Sequence, residues 1–276
     1  MDNHVFYYQD ENLNAEKALN GTLKLIVGAD GISMLALDDL GAVLGLESIH
    51  IAEKKFDNQH VESEIREVLY SNKLLTYTYG SIRAAISVPL ATLVPQRLFS
   101  TQDCATYFKL LNPVNQDTIF GHEELTDPGC HLVWGAAPFF KEYIAKYQPS
   151  HLGTALIKGF QEHASLEGFS LFMNVRGNHA QIAVYDLRSL VFYNSFEFQK
   201  PADLLYCVLL MYDQFKLNPE HIPLKISGAL LKDGEHFKML YKYIQHLRFL
   251  KPNKLPNLPN SKDAMPPHFW FDLLSL

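Results

Sequence analysis

Cysteine is sparse in this chain. Cys104, Cys130 and Cys207 are the only three in 276 residues. Three scattered thiols cannot all pair, so the pattern excludes a disulfide framework and fits buried thiols in a reducing compartment. No apolar run approaches the roughly 18 residues of a membrane helix. Residues 1–14 are polar and acidic and lack the basic and apolar regions of a secretory signal. No Lys/Arg run occurs, and the formal net charge is −6, so the basic face that nucleic-acid binding calls for is missing. Together these absences lead to the expectation of a cytoplasmic protein with no membrane insertion and no nucleic-acid partner.

Chemical signatures are as scarce. Gly-x-Ser-x-Gly does not occur, which removes the nucleophile-elbow hydrolases. Among the 12 histidines, no pair has metal-ligand spacing with a cysteine or carboxylate partner, so no metal site is expected. His122-Glu123-Glu124 lacks the second histidine of a zinc-protease helix and reads as loop. His151 and His163 flank a helical stretch and read as surface or capping residues.

What is present is a globular composition, 47% hydrophobic and 20% charged, and an internal echo. Residues 35–44 read against 182–191, with Asp39 and Asp186 in register at 186 − 39 = 147 residues. Apolar runs at 23–28 and 32–37 flank Asp30-Gly31, a strong hairpin signal, and a third run covers 42–51. Val61, Ile65, Val68 and Leu75 then recur at helical spacing with Gly80 as a stop, and 82–88 reads as a strand closed by Pro89.

The second half repeats the order. Strands are expected at 169–175, 180–185 and 190–198. A helix begins at Pro201 and stops at Asn218-Pro219, and a strand covers 222–227. A further helix carries Phe237 to Ile244, and 247–250 is a short strand. Between the halves, 112–129 reads as a loop-rich linker, 131–137 as a strand, and 139–147 and 152–163 as helices. The expected division is 1–128, 129–250, and a Pro-rich tail at 251–276 that docks back through His268-Phe269-Trp270-Phe271.

Three strands, helix, strand, helix, strand, twice over, resembles the plan of the actin-like ATPase superfamily, whose halves are ribonuclease H-like. Leu93-Val94-Pro95-Gln96-Arg97-Leu98-Phe99, Tyr193-Asn194-Ser195-Phe196-Glu197-Phe198 and Tyr241-Lys242-Tyr243-Ile244-Gln245-His246-Leu247-Arg248-Phe249-Leu250 resemble a bacterial family of unknown function assigned to that fold. The resemblance implies an α/β fold of duplicated βββαβαβ units with a central cleft. It also implies where a nucleotide would sit, between two facing hairpin turns and a later glycine pair. Glycine lets backbone N–H groups approach phosphate, and metal-assisted transfer needs hard oxygen ligands.

On these residues the matching positions are Asp30 and Gly31 in the first turn, Gly177 and Asn178 in the second, and Gly228 after the fourth strand of the second half. Asp-Gly also suits a hairpin's own backbone. The second turn has no carboxylate, and Arg176 beside it reads as a solvated turn arginine, with phosphate pairing as the alternative. Gly228 stands alone where two glycines would be expected. Phosphoryl transfer needs metal, base and phosphate clamps together. The expectation is therefore a non-catalytic protein with no cofactor, acting on an unknown protein partner. The alternative is a switch or weak ATPase that binds ATP with Mg. A third reading, a nuclease pairing Asp30 with Asp103 or Glu67, has the acidic charge against it.

Overall fold

The computed structural model describes residues 4–51, 58–253, 255–257 and 265–276. The chain opens with strand β1 (His4–Gln9) and helix α1 (Ala15–Asn20). A meander of β2 (Thr22–Gly28), β3 (Gly31–Leu37) and β4 (Val43–His50) leads to α2 (Asn58–Ser71) and β5 (Ser81–Ser87). Then come β6 (Ala91–Pro95), α3 (Cys104–Lys109), β7 (Ile119–Leu125), β8 (Cys130–Ala136), α4 (Pro138–Ile144), β9 (Ser150–His151) and α5 (Leu152–His163). The remainder holds β10 (Phe169–Arg176), β11 (His179–Asp186), β12 (Ser189–Glu197), α6 (Pro201–Gln214), β13 (Leu224–Gly228), α7 (Glu235–Tyr241), β14 (Leu247–Phe249) and α8 (Phe271–Leu274).

Two sheets dominate. The first runs β1-β4-β3-β2-β5-β9 and the second β12-β11-β10-β13-β14. In each, an antiparallel meander of three strands is followed by two strands paired in parallel, and in the first sheet β1 adds a fourth antiparallel strand along β4. The parallel strand is reached through a 14-residue helix, α2 in one case and α6 in the other. The hairpin Gly28↔Gly31 corresponds to Arg176↔His179, an offset of 176 − 28 = 148. At that offset Asp186 matches Asp38, not Asp39. Asp38 is the residue that closes the β3–β4 turn, its carboxylate accepting from the N–H groups of Leu40 and Ala42.

Several expected loops are strands. The lead-in contains β1, which pairs along β4 and buries Phe6. The segment 112–129 contains β7, so His122-Glu123-Glu124 lies on a strand. β6, β8 and β7 make a third, three-stranded sheet, and residue 128 falls in the turn between β7 and β8. Of the Pro-rich tail, residues 254 and 258–264, Pro259 included, lie outside the described residues.

The packing is layered. Leu23, Leu25 and Val27 alternate toward α2 and α4 on one side of the first sheet. Leu171, Met173 and Val175 do the same toward α6 and α7 on the far side of the second. Between the sheets, Ile26 and Leu35 meet Phe172, Ala183 and Tyr185 across α5 and the segment that carries Trp270, Phe271 and Leu273. These last three are nearly inaccessible, and burying each contributes about 1.5–3 kcal/mol.

The two central helices are held in a crossed manner. α5 follows the first sheet, yet Lys225 of the second donates to His163 O at its C-terminus (2.7 Å), and Tyr185 Oη donates to Ile157 O (2.6 Å). α8 follows the second sheet, yet Lys24 of the first donates to Leu274 O (2.9 Å). Lysines at helix C-termini satisfy orphan carbonyls and oppose the helix dipole. Burial, with Arg83 nearby, lowers the Lys24 pKa to about 8.

At its other end α5 is capped by His151, whose Nδ1 accepts from the Gly153 N–H (3.0 Å) while Nε2 contacts Val88 O (3.0 Å). That pair of bonds needs the neutral tautomer with Nε2 protonated. His151 is buried, so of its two readings, surface or capping residue, it is the cap, and the burial lowers its pKa to about 4 against the pull of Val88 O. Glu123 accepts from the His151 N–H. Burial holds its carboxyl above the usual range, opposed by the polar groups of Thr154 and Trp134 beside it and by the His151 N–H.

The unfolded chain binds more protons at position 151 than the folded one between pH 6.5 and 4, so His151 contributes stability above pH 6.5 that is lost on acidification. Glu123 acts with the opposite sign. Urea unfolding as a function of pH should therefore show wild type losing stability relative to His151→Gln as pH falls from 6.5 to 4. A pH-independent difference between the two profiles would contradict the assignment.

Candidate functional site

The β2–β3 and β10–β11 turns point at each other across the space between the sheets, and the end of β13 lies beside them. Asp30, Gly31, Gly177 and Gly228 line one cavity there, together with Ser33, His50, Val175, Arg176, Trp270 and Asp272. Four of the five residues singled out from the sequence thus come together. Asn178 does not line the cavity; its carbonyl accepts from Phe198 N–H at 2.8 Å. Asp103 and Glu67 are not among the lining residues either, so the nuclease grouping is not assembled.

The centre of the site is Arg176, which ends β10. It is largely withdrawn from solvent, with its side chain only 11% exposed, and this corrects its reading as a solvated turn residue. Nε lies 2.9 Å from Asp30 Oδ2 and Nη1 3.3 Å from Asp272 Oδ2. Nη1 also donates to Ser33 Oγ (3.1 Å) and Nη2 to Gly31 O (3.0 Å). One guanidinium therefore ties together the first turn, the second turn and the C-terminal segment.

Burial alone would lower the Arg176 pKa, but the carboxylates of Asp30 and Asp272 more than offset it and hold the value above the ordinary one. Asp272 is the strained partner. Burial raises its carboxyl above the usual range although Arg176 pulls the other way, and the Asp30 charge adds to the rise.

The turns also touch. Gly177 sits at φ +54°, and a Cβ there would lie 2.8 Å from Asp30 Cβ. Gly228, at φ +80°, would place a Cβ 2.1 Å from Val175 O, so any side chain at these two positions meets both backbone strain and a clash. Directly below, Ser227 Oγ donates to Asn174 Oδ1 (2.9 Å) and Asn174 Nδ2 to Gln181 Oε1 (3.0 Å), a buried and mutually satisfied set.

The cavity left over is about 260 Å³, below the roughly 300–1,000 Å³ of ordinary ligand pockets. The only carboxylate in either turn is engaged by Arg176, and the arginine that could clamp a phosphate is engaged by two carboxylates. The residues present do not fit Mg·ATP as arranged.

Comparison with known proteins now bears on the architecture. Residues 10–247 match the profile of a family described as "Protein of unknown function (DUF3822)". A Bacteroides thetaiotaomicron protein with actin-like ATPase fold and unknown function is similar in structure, with a TM-score of 0.71 at 20% identity over 86% of this chain and 93% of that one. A chain of the PilM–PilN type IV pilus biogenesis complex is similar with a TM-score of 0.58 at 10% identity, over 94% of this chain and 98% of that one. No curated protein is detectably similar in sequence. The fold is the actin-like ATPase fold.

Removing the guanidinium leaves the buried Asp272 and the partly buried Asp30 carboxylates facing each other without a cation. Arg176→Met is expected to cost about 3–5 kcal/mol by chemical denaturation, and Asp30→Asn with Asp272→Asn in the same chain to recover about half of that loss. A loss under about 1 kcal/mol would mean that the ion triad does not hold the site together.

Proposed function

The chain belongs to the DUF3822 family, and on that footing we propose that it is a non-catalytic protein of actin-like ATPase fold that works by binding another protein. The observation that carries this reading is Arg176. At the place where the fold brings three glycine-bearing turns together, the space is taken by the chain's own arginine and by the two carboxylates that satisfy it. Catalysis of phosphoryl transfer needs a clamp, a metal ligand and a water-positioning group that are free to act on the nucleotide. Here each candidate is committed to another.

A scaffold without turnover can still serve recognition. PilM, whose fold this chain shares, is found in a type IV pilus biogenesis complex with PilN, a precedent for partner binding on this architecture. No helix among the described residues is long and apolar enough to cross a membrane, and a cytoplasmic setting fits the composition.

The convergence of Gly31, Gly177 and Gly228 favours a second reading, a nucleotide-binding switch using Asp30, Gly31, Gly177, Asn178 and Gly228. It requires Arg176 to leave the space between the turns. Calorimetric titration of the full chain with Mg·ATP separates the two. The proposal expects no binding tighter than about 1 mM, roughly −4.1 kcal/mol, and a stoichiometric partner on affinity capture at endogenous levels. Binding tighter than about 100 μM, roughly −5.5 kcal/mol, that Asp30→Ala abolishes would replace it with the switch.

A further inference from the structure

The segment 265–276 occupies the middle of the molecule without main-chain hydrogen bonding to it among the described residues. Its main-chain hydrogen bonds are internal, Phe269 N–H to Pro266 O and Ser275 N–H to Phe271 O. Among the described residues no backbone–backbone bond joins it to the rest of the chain. α5, its neighbour in the same layer, directly continues β9, which pairs with β5.

Besides the burial of Trp270, Phe271 and Leu273, what holds the segment is a set of side-chain ties to both sheets. From the first sheet, Lys24 Nζ donates to Leu274 O and Arg83 Nη1 to Leu276 O, each at 2.9 Å. On the second, Arg176 holds Asp272, and His268 Nε2 meets Leu230 O at 2.9 Å while its ring stacks on Phe249. Lys24 and Arg83 are register partners on parallel strands, so two like charges are set side by side toward the segment's carbonyls.

We propose that residues 265–276 form a releasable latch: a segment seated between the sheets by apolar side-chain burial and side-chain ties, with no main-chain bond to either sheet, which can leave its seat while both sheets stay folded. Release bares the inner faces around Ile26, Leu35 and Phe172 and takes Asp272 away from Arg176, leaving that arginine with Asp30 as its one carboxylate. Release also opens the cavity between the three turns, because Trp270 and Asp272 line it. The latch does not depend on whether a partner protein is found.

Hydrogen exchange read by mass spectrometry on the full chain tests it, since exchange reports openings short of global unfolding. Lys24→Met and Asp272→Asn remove ties from opposite sheets. Each should speed exchange in 267–276 at least tenfold with β10 and β11 unchanged. A Cβ on Gly159 would lie 3.2 Å from Ser275 Cβ, close to disulfide distance, and the three native cysteines are buried. Gly159→Cys with Ser275→Cys should therefore slow exchange in the segment when oxidised and release it when reduced. If in wild type and in both single variants the segment exchanges only together with β10 and β11, it opens only with the whole fold and the latch is refuted.

Discussion

A guanidinium cannot shed its proton inside a protein, so a buried arginine obliges the structure to bring it anions or acceptors. Arg176 is such an obligation. It is met by Asp30 from the first sheet's hairpin, Asp272 from the C-terminal segment, Ser33 Oγ and Gly31 O. Meeting it draws the two turns into contact, sets the conformation required of Gly177, and fixes where α8 must lie. The residual volume between the turns is small because this cluster fills it. In energetic terms a buried ion triad is weak as a source of stability and strong as a constraint, since losing any one member strands the others.

The same division between specificity and stability runs through the central layer. Apolar burial of Trp270, Phe271, Leu273, Phe160 and Phe172 supplies the free energy there. The lysine caps decide which helix sits where. Lys24 and Lys225 each lie on the inward face of a parallel-paired strand, and each reaches a helix that the other half's sheet precedes. Both lysines are desolvated, their pKa values lowered first by burial and then by a neighbouring arginine.

Much of the architecture was legible in the sequence because strands and helices announce themselves locally. Apolar runs flanking Asp30-Gly31 marked the β2–β3 hairpin, and Pro201 with its apolar spacing marked α6. β1 escaped because its sequence, HVFYYQ, sits in an acidic lead-in, and because an edge strand buries one face only. β7 escaped because Asn112-Pro113 and Asp127-Pro128-Gly129 bracket it with turn signals. The site was legible only in part. Glycines and Asp30 could be placed by their turns, but the role of Arg176 depends on carboxylates 146 and 96 residues away, and no local pattern records such a pairing. One step of register was also lost, because the β3–β4 turn is longer than the β11–β12 turn and the two Asp residues at 38 and 39 are indistinguishable by hydropathy.

The tie between Lys24 and Leu274 spans 250 residues. The inner face of β2 is completed by residues made some 250 positions later. Contacts of such long separation are slow to form, because the loop they close must be ordered first. During synthesis at ~5–20 residues per second, the inward side of the first sheet therefore spends on the order of ten seconds or more as an unfinished apolar surface. Synthesis thus leaves the first sheet exposed for the interval that separates its strands from the segment that covers them.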